Sequence, residues 1–129
     1  FGFEVALITA RPSLVAQKRG ADLGLDTHIG VLDKLACMDE LLARHGLARD
    51  QACFVGDDLP DLDCLRVAGL AVAPATAHPW IAEIVHWRTH ARAGEGAVRE
   101  LCDLLLAAQG HLAAILAGRD PSTRDGRRA

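Results

Sequence analysis

Three carboxylates fall within five positions of one short segment of the chain, as Asp57, Asp58 and Asp61. Two such charges about 4 Å apart repel by about 4 kcal/mol at an effective dielectric constant of 20, so they must splay into water or surround a cation. A ligand set made only of oxygen atoms favours Mg²⁺ or Ca²⁺ over zinc or copper. The segment alone is equally compatible with a structural role, in which Asp58 or Asp61 caps the following helix.

Two other places along the chain put polar side chains just after a predicted strand. Thr9 and Arg11 follow the apolar run 5–8, and Lys34 follows the strand predicted over 28–31. Taken singly, a threonine there caps a turn and a basic residue there is a solvated surface charge. Taken together, a hydroxyl, a lysine and a carboxylate cluster at successive strand ends predict a phosphate-and-metal site. In that site Thr9 would bond phosphoryl oxygens, Lys34 would neutralise them and Asp57 would hold a metal ion.

The elements that must position these residues alternate along the chain. Continuous apolar runs predict buried strands, and stripes at helical spacing predict the helices between them. We predict strands over 5–8, 28–31, 52–55 and 70–73, with a weaker one over 84–87, and helices over 13–23, about 35–46, 60–68, from Pro79, and 98–108. This order indicates an α/β fold with a parallel sheet, in which ligands bind beyond the carboxyl ends of the strands.

Composition narrows the class of protein. The chain has 129 residues and a formal net charge of −3, so no basic face is expected. It has two Trp, three Phe and no Tyr, so no base-stacking platform is expected either. Both observations exclude nucleic acid as a partner. The four cysteines lack zinc spacing, and their apolar surroundings predict buried thiols in a reducing compartment. No apolar run is long enough to span a membrane, which favours a cytoplasmic protein. We expect one domain over residues 1–117 and a flexible tail over 118–129.

The motifs resemble those of the haloacid dehalogenase superfamily of phosphatases. Leu7-Ile8-Thr9 is similar to the second motif of that superfamily, Lys34 to the third, and Gly56-Asp57-Asp58-x-x-Asp61 to the fourth. Further stretches are similar to the capless, tetrameric branch that hydrolyses 3-deoxy-D-manno-octulosonate 8-phosphate: 8–13, Arg19, 30–34, 77–79, 96–100 and 108–110. The resemblance covers residues 2 to about 110. Ala10 and Glu95 depart from it, since the branch has glycine at both positions.

The resemblance implies a role for each of these residues. Asp57 would ligate Mg²⁺, with Asp58 and Asp61 as further acidic groups at the metal or as groups that contact its ligands. Thr9 and Lys34 would bind the transferring phosphoryl group. Arg11 and Arg19 would grip the sugar acid, because a planar guanidinium pairs with a carboxylate through two hydrogen bonds. Related phosphatases for nine-carbon sialic-type acids tend to carry Glu where Arg11 stands, which favours the eight-carbon substrate.

The same resemblance implies a Rossmann-like three-layer sandwich, a homotetramer, and release of phosphate from a sugar acid used in lipopolysaccharide synthesis. Two alternatives stay open. One is a non-catalytic oligomerisation module, like the C-terminal part of some acylneuraminate cytidylyltransferases. The other is a phosphatase for a nine-carbon sugar acid.

The family's first motif, Asp-x-Asp on the central strand, has no counterpart in the 129 residues. It supplies the nucleophile of the family and two metal contacts. The resemblance places that strand between those ending at Thr9 and Val55, so these two should expose unpaired edges or close a gap of about two 4.8 Å spacings. We therefore expect the chain alone to be inactive, and a parent chain with about 45–60 further residues upstream.

Overall fold

The structure is a computed structural model that describes residues 3–110. Strands and helices alternate throughout this part of the chain, as predicted. The elements are β1 Ala6–Ile8, α1 Leu14–Asp22, β2 Asp26–His28, α2 Lys34–Arg44, β3 Cys53–Val55, α3 Leu62–Val67, β4 Leu70–Ala73, α4 Pro79–Ile84, β5 Trp87–Arg88 and α5 Ala97–Ala108. The predicted tail over 118–129 lies outside the described residues.

All strand pairs in residues 3–110 are parallel, but they form two sheets rather than one. In the first sheet β1 lies beside β2, with Ile8 opposite His28. In the second sheet β4 lies between β3 and β5, with Val55 opposite Val72 and Val72 opposite Trp87. The predicted α/β fold with parallel strands is confirmed.

Local sequence signals explain where the two long N-terminal helices begin and end. The side chain of Ser13 accepts a hydrogen bond from the Ala16 amide at 3.1 Å, and Asp33 accepts one from the Ala36 amide at 2.9 Å. Each bond satisfies one of the amides that a helix start leaves free. Past the other ends, Gly24 and Gly46 have φ angles of +72° and +67°, which a residue with a Cβ rarely adopts.

The core lies on the second sheet, around its central strand. Ala71 and Ala73 of β4 pack with Leu65 of α3 and Ile81 of α4, and all four are buried. Burying a leucine or isoleucine side chain contributes about 1.5–3 kcal/mol each. Helices thus pack on β4, and a strand lies on each side of it. This packing fixes where the strands of the second sheet end.

β1 and β3 do not pair with each other, so of the two alternatives drawn from the resemblance, a closed gap or unpaired edges, the structure has the unpaired edges. Leu7 of β1 and Val55 of β3 stay 37% and 36% exposed, and Val5, just before β1, is 57% exposed, although apolar residues in parallel strands are normally buried. Each of the two strands has a neighbour on one side only among the described residues. The molecule therefore presents two apolar strand edges to solvent.

Two strands, β2 and β5, differ from the prediction by more than one residue. β2 covers Asp26–His28 instead of 28–31, because Gly30 turns the chain with a φ of +64° and the Val31 amide bonds to the Thr9 carbonyl at 2.9 Å. β5 begins at Trp87 because the predicted start, Ile84, is still in α4.

The prediction of four buried cysteines is wrong for Cys53 and Cys102, which are exposed, while Cys37 is half-buried and Cys64 is buried. Cys53 lies on the unpaired edge of β3, where no neighbouring strand covers it. Burial raises the pKa of the Cys64 thiol to about 11, so that thiol stays protonated at neutral pH. None of the helices in residues 3–110 has the length and apolar character needed to cross a membrane.

Candidate active site

A pocket of about 260 Å³ opens where the carboxyl ends of the two sheets face each other. Ile8 ends β1, Val55 ends β3, and Pro74 follows β4 directly. The complete lining is Ile8, Lys34, Val55, Gly56, Asp57, Asp61, Pro74, Ala93, Gly94, Ala97 and Val98. The pocket therefore lies where ligands bind in parallel α/β folds.

Lys34 and Asp61 form an ion pair in the wall of this pocket. The Lys34 Nζ lies 2.7 Å from Asp61 Oδ1, and the two side chains are only 13% and 8% exposed. Lys34 is the first residue of α2, held there by the Asp33 cap. Because so little water reaches the pair, removing either partner would leave a buried charge unpaired and would lower the free energy of unfolding by about 3–5 kcal/mol.

The second oxygen of Asp61 organises the backbone of the acidic segment. Asp61 Oδ2 accepts hydrogen bonds from the Asp57 amide at 3.0 Å and the Asp58 amide at 3.3 Å. Gly56 leaves room for this arrangement, since a Cβ there would lie 2.5 Å from the Cβ of Asp61. Asp61 thus acts as a structural acceptor for Lys34 and for the loop, with both oxygens engaged.

Asp57 and Asp58 differ in how free their carboxylates are. Asp58 Oδ1 accepts from the Leu59 amide at 2.7 Å and caps the short 3-10 turn Leu59–Asp61. Within residues 3–110 the Asp57 carboxylate has no hydrogen-bond or ion-pair partner, and it lines the pocket. A magnesium ion needs only one or two protein carboxylates beside water and phosphate oxygens, so Asp57 fits that donor set.

The predicted set of three metal ligands is not assembled by the chain as it stands. No group of three or more His, Cys, Asp or Glu side chains that could hold a metal ion occurs in the described part. The physical reason is that Asp61 is committed to Lys34 and the loop amides, while Asp58 caps a turn.

The other predicted site residues lie off the pocket lining. Thr9 directly follows Ile8, and its Oγ1 accepts from the Arg11 amide at 3.2 Å. Arg11 is exposed in the loop before α1, and Arg19 is exposed in the last turn of α1. The structure therefore brings Lys34, Asp57 and Asp61 together and leaves Thr9, Arg11 and Arg19 outside their pocket.

Known proteins of the same kind share both sequence and structure with this chain, although no protein-family profile matches it. The 3-deoxy-D-manno-octulosonate 8-phosphate phosphatase of Escherichia coli K12 is 43% identical over 111 residues, which is 84% of this chain and 58% of that protein. A hypothetical protein from Xanthomonas campestris is 60% identical with a TM-score of 0.88, over 90% of this chain and 64% of that one. A 3-deoxy-D-manno-octulosonate 8-phosphate phosphatase from Moraxella catarrhalis, solved with magnesium, phosphate and its sugar acid, is 32% identical with a TM-score of 0.88. That match covers 92% of this chain and 69% of the Moraxella chain. The chain belongs to the 3-deoxy-D-manno-octulosonate 8-phosphate phosphatase family of the haloacid dehalogenase superfamily.

Membership of this phosphatase family confirms the resemblance drawn from the motifs. The chain spans a little under three fifths of the Escherichia coli relative, 58% of its length. Its segments similar to the third and fourth motifs, Lys34 and Gly56 to Asp61, both contribute to the pocket. The segment similar to the second motif contributes Ile8.

Sequence reasoning missed one wall of the pocket in this family member. Ala93, Gly94, Ala97 and Val98 line it, from the loop after β5 and the first turn of α5. The sequence did carry a signal, because two glycines after a weak strand, Gly94 and Gly96, indicate a tight loop of the kind that can approach a ligand closely. In the structure their φ angles are +76° and +100°. In the sequence analysis this stretch served only for the resemblance, through Glu95 and residues 96–100.

Proposed function

We propose that this chain carries the phosphoryl-binding and metal-binding part of a phosphatase that releases phosphate from 3-deoxy-D-manno-octulosonate 8-phosphate, a sugar acid of lipopolysaccharide synthesis. The observation that carries the proposal is the placement of Lys34 and Asp57 in one pocket at the carboxyl ends of parallel strands. A buried ammonium and a free carboxylate at such an edge suit a phosphate dianion held beside a cation. Family membership supports the same reaction.

Each residue has a separate task in this proposal. Lys34 neutralises the phosphoryl oxygens, and Asp61 keeps its ammonium in place at 2.7 Å. Asp57 would hold Mg²⁺ with its free carboxylate, with Asp58 next to it, and the bound ion would shield the negative charge of the substrate. Thr9 stands one residue beyond the pocket wall and would donate its hydroxyl to a phosphoryl oxygen.

Arg11 and Arg19 would recognise the sugar acid rather than the phosphate. Both are exposed, and no ion pair engages either of them among the described residues. An uncommitted guanidinium is available to pair with a carboxylate of the substrate. The eight-carbon acid remains the proposed substrate, and Arg11 is the residue that distinguishes it from a nine-carbon acid.

The nucleophilic aspartate would arrive on an apolar strand between β1 and β3. The unpaired edges support this step, because Leu7 and Val55 stay exposed where a parallel neighbour would cover them. Such a strand would end at the pocket, since Ile8 and Val55 both line it.

We further propose that the active protein is a homotetramer. Leu14 and Val15 of α1 and Leu32 of the loop before α2 are largely exposed, which suits surfaces that pair with another copy of the chain. Light scattering on the assembled protein measures this directly.

The experiment that tests the proposal measures phosphate release. The chain is mixed with a segment whose apolar strand ends in Asp-x-Asp-Gly-Val, then with Mg²⁺ and the eight-carbon sugar-acid phosphate. We expect release that depends on the segment and on Mg²⁺, and that falls at least about a hundredfold in Lys34→Met or Asp57→Asn. The matched control Lys18→Met removes an exposed lysine of α1 and should keep near-wild-type activity. Equal activity in Lys34→Met and Lys18→Met would overturn the proposal.

A further inference from the structure

The loop of residues 89–96, called here the wall loop, is tied to α5 by one carboxylate. The His90 amide donates to both oxygens of Glu100 at 3.0 Å each, and the Ala91 amide donates to Glu100 Oε1 at 2.9 Å. Glu100 lies in the first turn of α5, where a negative charge also suits the helix dipole. A single side chain thus holds two consecutive amides of the loop.

The wall loop reaches the candidate active site just beyond these bonds. Ala93 and Gly94 line the pocket, two and three residues after Ala91. The Glu100 carboxylate fixes the chain at His90 and Ala91, just before these two lining residues. A shift of the loop at Ala91 would therefore move this wall relative to Lys34 and Asp57.

The other hydrogen bonds that hold the wall loop have neutral partners, and one of them runs from the Ala75 amide to the Ala91 carbonyl at 3.2 Å. The ion pair of Arg92 with Glu95, at 3.9 Å, is internal to the loop. Thr89 Oγ1 donates to the Ala91 carbonyl at 2.7 Å, and the Ala93 amide donates to Thr76 Oγ1 at 3.2 Å. Hydrogen bonds to a charged group are about twice as strong as neutral ones. The hydrogen bonds from the amides of His90 and Ala91 lower the pKa of Glu100, as expected when such bonds favour the ionised form.

We propose that Glu100 is a positioning residue of the phosphatase, which holds the wall loop against the bound sugar-acid phosphate. This inference rests on the proposed function, because it gives the wall a substrate to contact. Glu100 lies outside the pocket lining and touches no reacting group. Its loss should therefore weaken substrate binding and leave the chemical step largely intact.

The test compares Glu100→Ala, Glu100→Gln and the control Asp103→Asn, an exposed acid one turn further along α5. Amide exchange by NMR and trypsin cleavage after the exposed Arg92 report on the wall loop without any turnover. In Glu100→Ala we expect exchange at His90 and Ala91, and cleavage after Arg92, to be about tenfold faster than in the control. Glu100→Gln should fall between the two, because its amide oxygen still accepts one bond.

Turnover of the eight-carbon substrate with the added Asp-x-Asp strand completes the test. We expect KM to rise at least about fivefold in Glu100→Ala, with kcat within about twofold of the control. Unchanged loop exchange, or a loosened loop with unchanged KM, would overturn the positioning role. If no protein including the wild type releases phosphate, the proposed function fails instead. In that case calorimetry measures the affinity of Glu100→Ala and of the Asp103→Asn control for 3-deoxy-D-manno-octulosonate. Weaker binding by Glu100→Ala would support the positioning role, and equal affinities would overturn it.

Discussion

Replacing Asp61 should unfold or loosen the molecule far more than replacing any other acid of its segment. In Asp61→Ala the Lys34 side chain, which is 13% exposed, loses its carboxylate partner at 2.7 Å. Breaking a buried pair in this way costs about 3–5 kcal/mol. The amides of Asp57 and Asp58 lose their acceptor as well, although these can turn to water because both residues are exposed.

That cost is large against the stability of a domain of this size, which is about 5–15 kcal/mol. At roughly 4 °C per kcal/mol, Asp61→Ala should lower the melting temperature by about 12–20 °C. Asp61→Asn keeps an acceptor oxygen for the loop amides but removes the charge, so we expect a smaller loss of about 1–3 kcal/mol. The control Asp63→Asn removes an exposed acid of α3 and should cost less than about 0.5 kcal/mol.

Urea unfolding followed by circular dichroism measures these free energies. A double-mutant cycle with Lys34→Met isolates the pair, and we expect a coupling energy of about 1–3 kcal/mol. A coupling near zero, together with equal stability of Asp61→Asn and Asp63→Asn, would refute the buried ion pair and with it the account of how Lys34 is held.

Three further changes test separate parts of the structure. Gly56→Ala places a Cβ 2.5 Å from that of Asp61, so we expect the free energy of unfolding to fall by about 1–3 kcal/mol. A thermal melt measures this, and an unchanged melting temperature would contradict the close contact. Hydrogen bonds from Arg49 lower the pKa of Asp39, so the stability they give is present above the unfolded pKa of about 3.9 and is lost as pH falls through the lower folded value. In Asp39→Asn, the free energy of unfolding from urea titrations should depend less on pH below about pH 4. An unchanged pH dependence there would exclude the Asp39–Arg49 pair as the cause of the acid-induced loss of stability. Arg11→Glu should weaken turnover of the eight-carbon substrate far more than that of p-nitrophenyl phosphate, and equal losses would assign Arg11 to folding.

The order of elements could be predicted because its signals are local. Ser13 and Asp33 cap helices whose first turns lie within three residues of them, and Gly24 and Gly46 follow the helix ends directly. The apolar run 70–73 was predicted as a strand and is β4 with the same bounds. Each of these signals depends only on neighbours in sequence.

Boundaries that depend on a distant partner were predicted less well. The start of β2 is set by its pairing with β1, 20 residues earlier in the register Ala6 to Asp26. The exposure of Cys53 follows from the absence of a strand beside β3 among the described residues. Neither the start of β2 nor the exposure of Cys53 can be inferred from the residues adjacent to the strand concerned.

The candidate site shows the same division. The rule that parallel strands end at one edge was enough to predict that Lys34 and Asp57 lie together, and both line one pocket. The same rule could not predict that Asp61 turns inward, because its partner Lys34 lies 27 residues away. The resemblance placed Asp61 among the acids at the metal, whereas in the structure Asp61 is the acceptor for an ammonium and two amides.

The Lys34–Asp61 pair also answers how one pocket is maintained by two separate sheets. Lys34 opens the helix that follows β2 of the first sheet, and Asp61 follows β3 of the second. No strand ladder joins the two sheets within residues 3–110, so nothing in the backbone hydrogen bonding of the strands fixes one relative to the other. The pair does so at the pocket itself, because Asp61 binds Lys34 with one oxygen and the amide of Asp57 with the other. One buried aspartate, Asp61, therefore links the Lys34 ammonium to the backbone of Asp57. A strand added between β1 and β3 would supply a second, stiffer connection. Asp61 variants should consequently lose less stability when that strand is present, and thermal melts with and without it would show the difference.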